Sequence, residues 1–283
     1  MALALGWLFG VWPPPLWWRD HWPHETAMMR EAERAGTTAR PGAHRPALRP
    51  TPLRELSPLL ERMVVIGEDS RFRMHRGIDP AEIGDALGLD HGRGFWATLA
   101  AAWHHRDQLR GASTITQQLA KNLYLSSSRS PLRKLKEAVT ALQLERALPK
   151  NRILELYLNL VEWGPGIWGA DAASRFYFGI PPAQLDETQA AALAATLSHP
   201  LTSNPAFQPE RTLARRDLIL ARYHGAQVRI PPEEEPDTLP PAAPQASPAS
   251  PAPPTDSVAN PQSTAERQDA APDSAAAARD SLP

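Results

Sequence analysis

The chain has 283 residues, no cysteine and a formal net charge of −1. The lack of cysteine excludes disulfides and thiolate metal sites. The near-zero charge hides an asymmetry: residues 231–283 carry nine carboxylates against Arg267 and Arg279, so residues 1–230 carry +6, a balance suited to an anionic substrate or an anionic membrane surface.

The N-terminal stretch "ALALGWLFGVWPPPLWW", Ala2 to Trp18, is uncharged and strongly apolar until Arg19 and Asp20. At ~1.5 Å per residue, the part before Pro13 covers about half of the ~30 Å hydrocarbon core, and Pro13–Pro15 break a helix there. No small-residue cleavage site is evident, and Trp12, Trp17 and Trp18 have the pattern of an interfacial aromatic belt. Residues 1–20 therefore read as an N-terminal membrane anchor, its shortness put down to a start codon placed too late, with a peripheral segment as the alternative. Residues 21–50 become rich in Pro, Gly and Arg and read as a connector. One globular domain follows over residues 51–230. Residues 231–283, dominated by Pro, Ala and Ser, cannot bury enough apolar surface to offset their ordering entropy and read as a disordered tail.

Within the domain the elements are mostly helical. Ser57-Pro58 is an N-cap followed by proline at the first helical position, and Leu59, Leu60, Met63 and Val64 make the apolar stripe that leads to Glu68 and Asp69. An acid pair at a helix end is unfavourable for the dipole, so "GEDSRFRMHRGID" is either a solvated turn paired with Arg71 or Arg73, or the seat of a catalytic acid or base. In "GASTITQQLAKNLYL" the polar residues Gln117, Gln118, Lys121 and Asn122 recur at helical spacing, and Ser113 and Thr114 stand where they can cap a helix or bind ligand. Ser113 has no adjacent base, and S-x-x-K is absent, which argues against a serine nucleophile.

Ser130-Pro131 repeats the cap, and the helix it starts runs to about Leu148. There Glu137 can meet Arg133 at i, i+4 and Lys134 at i, i+3, which in isolation reads as a surface ion-pair network. Arg129, just before the helix start, works against the dipole unless an anion binds there. Ile153, Leu154, Tyr157, Leu158 and Val161 form the next amphipathic helix, stopped by Gly164-Pro165-Gly166. "ETQAAALAATLSHP" is the last strong helix, apolar on most sides and hence buried. Alternating β-branched runs are scarce, so the fold class is mainly α.

A general base together with fixed cations suits glycosyl transfer from a sugar diphosphate: the acceptor hydroxyl loses a proton as it attacks, and the leaving group needs only positive charge. At this point a resemblance enters. "EDSRFRMHRGID", "GASTITQQLAKN", "RKLKE" and "ILELYLNLVEWGPGIWGADAASRFYF" are similar to motifs of the peptidoglycan glycosyltransferases, and more narrowly of the monofunctional biosynthetic peptidoglycan transglycosylases. The match covers about Leu56 to Pro205.

The resemblance implies a lysozyme-like helical lobe with a small membrane-associated jaw, polymerising lipid II into β-1,4-linked glycan with inversion and release of undecaprenyl pyrophosphate. It implies Glu68 as general base and Glu137 as the carboxylate that orients or stabilises the donor site. Ser113, Thr114, Gln118, Lys121, Arg129 and Lys134 are implied as substrate-binding residues. Asp69 and Phe72 would shape the loop, His75 would be a packed or hydrogen-bonded histidine, and Tyr157 and Asn159 would support the cleft. Expected partners are lipid II, the growing strand, the membrane and the cell-wall synthesis machinery, with no nucleic acid. Expected location is the bacterial inner membrane, single-pass, with the catalytic domain on the periplasmic side. No Asp/His ligand cluster is visible, so no obligatory cofactor is expected, at most a loosely bound divalent cation such as Mg or Mn.

Two rivals remain at this level. A muramidase or lytic transglycosylase also needs a glutamate in a helical cleft, but its polymer substrate leaves Lys121, Arg129 and Lys134 without a purpose. A non-catalytic membrane scaffold would recruit partners through the tail.

Overall fold

A computed structural model describes residues 2–36, 48–86, 113–128 and 130–231. The expected disordered tail, apart from Pro231, lies outside the described residues, as does residue 129. The described chain is mainly helical: α1 (Ala2–Phe9), α2 (Ala27–Arg34), α3 (Pro58–Glu68), α4 (Pro80–Ala86), α5 (Ile115–Tyr124), α6 (Pro131–Ala147), α7 (Lys150–Leu160), α8 (Ala170–Phe178), α9 (Glu187–Thr196) and α10 (Pro209–Tyr223). Two short strands, β1 (Glu162–Gly164) and β2 (Ile167–Trp168), form an antiparallel hairpin that pairs Glu162 with Trp168.

Local chemistry sets the helix starts. Ser57 Oγ accepts from Leu59 N at 3.3 Å with Pro58 in the first turn. Thr114 and Gln117 form a reciprocal capping box at the start of α5, and Asp186 and Gln189 do the same for α9. Ser130 holds the cap position of α6 with Pro131 behind it, but its hydroxyl makes no capping bond. At the end of α7 the chain enters the hairpin, and Gly169 (φ 85°) then opens α8. A Cβ at Gly169 would stand 2.7 Å from the Asn159 carbonyl, so only glycine fits that turn.

α3 packs on α9 and α10, while α5 packs on α6 and α7, with α8 and the hairpin joining the two groups. Leu60, Met63, Leu119, Leu144, Leu154, Tyr157, Trp163, Leu193 and Ile219 meet in one core. The sequence pattern predicts "ETQAAALAATLSHP" as the last strong helix; α10 is a further one. Its inner face carries Thr212 and Arg215 beside Ile219, so no apolar stripe betrays it.

The N-terminal segment straps these helices together. α1 lies on α6, where Gln143 Nε2 donates to Phe9 O at 3.0 Å and the Lys136 ammonium sits 4.8 Å from the Trp7 ring centroid. Trp18 Nε1 donates to Tyr124 Oη at 2.6 Å, and Arg152 Nε donates to Trp18 O at 2.8 Å. Among the described residues no helix is long and apolar enough to cross a membrane; α1 has eight residues.

Candidate active site

The acid pair at the end of α3 splits between two tasks. Asp69 is the C-cap residue, and its Oδ2 accepts from Ile115 N at 3.0 Å, the first residue of α5. Its charge thus sits on a helix N-terminus, where the dipole favours it. His75 Nε2 lies 3.0 and 3.1 Å from the two Asp69 oxygens, and the imidazole stands edge-on to the buried Phe72 ring. Arg71 reaches neither residue of the pair: its Nε donates to Asp79 at 2.8 Å, while Arg73 donates to Asn151 at 2.9 Å.

Glu68 turns the other way. Its side chain is 8% exposed, so its hydrogen-bonding needs must be met inside the protein. Oε2 accepts from Gln118 Nε2 at 2.9 Å and Oε1 from Ser198 Oγ at 3.3 Å, while Arg215 Nη2 stands 3.6 Å from Oε1. Gln118 is held in turn by Tyr157, whose hydroxyl donates to Oε1 at 2.8 Å. Three elements (α5, α10 and the turn after α9) therefore meet one carboxylate, and α7 backs the first of them through Tyr157.

The polar run "STITQQ" is accounted for residue by residue. Thr114 Oγ1 accepts from Gln117 N at 3.1 Å and donates to Gly77 O at 2.7 Å. Thr116 Oγ1 donates to Glu145 at 2.6 Å, and Gln117 closes the capping box. Gln118 reaches Glu68. Asn122, expected on the same polar strip, turns back to Gln118 O at 2.9 Å.

A second group forms where α6 begins. Glu137 is 2% exposed, and Arg133 Nη1 donates to its Oε2 at 2.6 Å while Lys134 Nζ donates to its Oε1. The i, i+4 and i, i+3 contacts form as the spacing predicts, but their centre is not a surface one: Glu137 and most of Arg133 are shielded from solvent, while Lys134 remains about half exposed. Lys134 Nζ also donates to Ser113 Oγ at 2.7 Å. Ser113 and Gln118 flank the first turn of α5, so that helix carries one group to the other.

Lys121 lies one turn beyond Gln118, partly buried. Its charge acts on Glu162 of the hairpin. Burial pushes the Glu162 carboxyl up to about 7, opposed by the Gly166 N–H, which donates to it at 3.0 Å, and by Lys121. Arg129 lies outside the described residues. Asn159 proves to be scaffold: its amide exchanges bonds with Thr51 N (2.7 Å) and Thr51 O (2.9 Å), fastening the start of the domain to α7.

The sequence shows no Asp/His cluster, yet folding brings Asp69, His75 and Asp79 together, with ligand atoms within 4.8 Å of one another. Their oxygens already face donors. Asp79 Oδ2 takes Arg71, and its Oδ1 caps α4 through Ala81 N (3.0 Å) and Glu82 N (3.2 Å). A cation on Asp79 would compete with Arg71 at Oδ2 or with two backbone donors at Oδ1, so the residues fit an ion-pair lock better than a metal centre.

Sequence reasoning missed Ser198 and Arg215. Both lie more than 100 residues from Glu68, and a cation on a helix reads as surface. Taken together, a carboxylate held by polar side chains can accept a proton, and the cations that α5 links to it can meet developing negative charge.

The sequence profile of the family described as transglycosylase matches residues 36–224. The chain is 41% identical over 229 residues to a biosynthetic peptidoglycan transglycosylase of Azoarcus sp., covering 80% of this chain and 92% of the relative. It is 40% identical over 235 residues to one of Thiobacillus denitrificans, covering 81% and 94%. It is 39% identical over 202 residues to one of Bordetella pertussis, covering 69% and 75%.

Proposed function

The chain belongs to the transglycosylase family, and from that premise we propose that it is a peptidoglycan glycosyltransferase that polymerises lipid II. In this reading Glu68 takes the proton from the 4-hydroxyl of the acceptor GlcNAc as that oxygen attacks the anomeric carbon of the donor MurNAc. The bond from that carbon to the lipid diphosphate breaks, the electron pair leaves with undecaprenyl pyrophosphate, and inversion gives a β-1,4 link. Lys121, Arg129 and Lys134 receive the diphosphate, Glu137 keeps Lys134 and Arg133 aimed, and Ser113, Thr114 and Gln118 line the cleft. A loosely bound Mg or Mn would add to the positive charge on the diphosphate without being held by a protein ligand set.

The observation that carries the reading is the grip on Glu68. Two hydrogen bonds and one arginine ion pair, from three elements, fix an almost buried carboxylate, and Lys121 follows one turn along the helix that supplies Gln118. A carboxylate so held is preorganised to accept one proton from a bound hydroxyl.

Membrane attachment belongs to the same proposal. Leu5, Trp7, Phe9, Leu16 and Trp17 are exposed, Trp12 is 86% exposed, and Leu132 and Leu135 on α6 add to this apolar character. Such a surface suits a bilayer rather than water. It supports residues 1–20 as the anchor, and the proposal puts the lysozyme-like lobe and jaw on the periplasmic side of the inner membrane. Alkaline washing of membranes separates a spanning anchor, which stays, from a peripheral segment, which is released.

Purified full-length protein with lipid II tests the reaction. Polymer resolved on a gel is the expected result. Shortening of finished glycan without polymerisation would replace the proposal with a glycan-cleaving enzyme.

A further inference from the structure

We propose that Tyr157 is a positioning residue for Glu68, acting through Gln118: its hydroxyl holds the Gln118 amide in the one orientation that aims N–H at the carboxylate. The proposal rests on the reading of Glu68 as general base and adds to it the device that keeps that base ready.

A glutamine amide has a donor end and an acceptor end of nearly the same shape. Either could face Glu68. With the oxygen forward, two acceptors would oppose each other across a buried gap; with the NH2 forward, a charge-assisted bond forms. The carboxylate alone selects the second arrangement only while it is ionised. Once Glu68 has taken a proton it can donate, and the amide loses its reason to stay.

Tyr157 supplies the missing constraint from the far side. It is fully buried on α7, and its hydroxyl donates to Gln118 Oε1 at 2.8 Å. Burial and the nearby charges of Glu68 and Asp69 push that hydroxyl well above its ordinary value, so it remains protonated and remains a donor. Phenol, amide and carboxylate then form a chain across α7, α5 and α3 in which every bond points towards Glu68. Such a chain ends in an N–H, a donor that a carboxylate oxygen accepts in a charge-assisted bond. Glu68 thus presents the same oxygens in the same orientation to each acceptor hydroxyl in turn, which a polymerase that repeats the same step requires.

A structural role alone would also give a buried tyrosine a hydrogen-bond partner. The two accounts differ in what the hydroxyl controls. Tyr157→Phe keeps the ring and removes the donor. With the full chain and lipid II, we expect kcat to fall about tenfold, the loss of one hydrogen bond to a charged relay, with KM within about twofold. The acid limb of the pH–kcat profile should move to higher pH. In a Gln118→Leu background the same change should cost nothing further, because the hydroxyl acts only through the amide.

Wild-type kcat with an unmoved acid limb would overturn the proposal, as would losses that add fully in the double variant. If Tyr157→Phe fails to fold, 3-fluorotyrosine at position 157 keeps the shape and strengthens the donor; the acid limb should then move to lower pH, and an unmoved limb overturns the proposal. A wild-type protein that makes no polymer would instead defeat the underlying reading of the site.

Discussion

The guanidinium of Arg215 stands 3.6 Å from Glu68 Oε1 and donates at 2.9 Å to the carbonyl of Gly67, the residue before it. A carboxylate at the end of a helix opposes the dipole; a cation there favours it. Arg215 meets both groups at once, which is how α3 can finish on a glutamate. Gly67 permits the approach, since a Cβ there would lie 3.0 Å from Ile219 Cδ1 on α10.

Replacing Arg215 by Gln should therefore harm both folding and catalysis. Removing one member of a buried pair leaves the other uncompensated, at a cost on the order of 3 kcal/mol. Denaturant melts should show that loss, and the activity of the remaining folded fraction should fall as well. Unchanged stability would mean that the pair contributes nothing to the fold.

Glu137→Gln tests the cation bank. The variant keeps the shape but removes the charge that fixes Arg133 and Lys134, so KM for lipid II should rise by about tenfold, on the order of 1.4 kcal/mol, with a smaller change in kcat. A change confined to melting temperature would reduce this network to a structural ion pair.

Glu162 makes stability depend on pH. Its carboxyl titrates near its ordinary 4.5 when unfolded and at about 7 when folded, so between these values the folded protein holds the extra proton. The stability it contributes is full below 4.5, declines as pH rises, and is lost above about 7. Glu162→Gln, which is neutral at every pH, should match the wild type near pH 4.5 and melt a few degrees higher at pH 8, for a gain on the order of 1 kcal/mol. Equal melting curves at both pH values would contradict the burial assigned to this carboxyl.

Much of this arrangement is legible in the sequence where the chemistry is local. Ser57-Pro58 marks the start of α3, and the spacing from Arg133 to Glu137 foretells their contact. What periodicity cannot give is the partner across the core. Glu137 reads as a surface residue because its ion pairs, not its burial, are visible in the string. Arg215 is hidden for the same reason: an arginine on an otherwise ordinary helix looks solvated until Glu68 comes beside it. Asp69 and His75 are close in sequence, but that Asp69 caps α5 rather than binding substrate depends on Ile115, which only the fold brings near.

The decisive measurement is glycan formation from purified lipid II by Glu68→Gln beside the wild type, with binding of lipid II followed in parallel. The amide keeps the shape and cannot act as the base, so turnover should fall by about 10²–10⁴ while binding persists. A variant that polymerises at the wild-type rate would contradict the assignment of Glu68 as the group that takes the acceptor's proton.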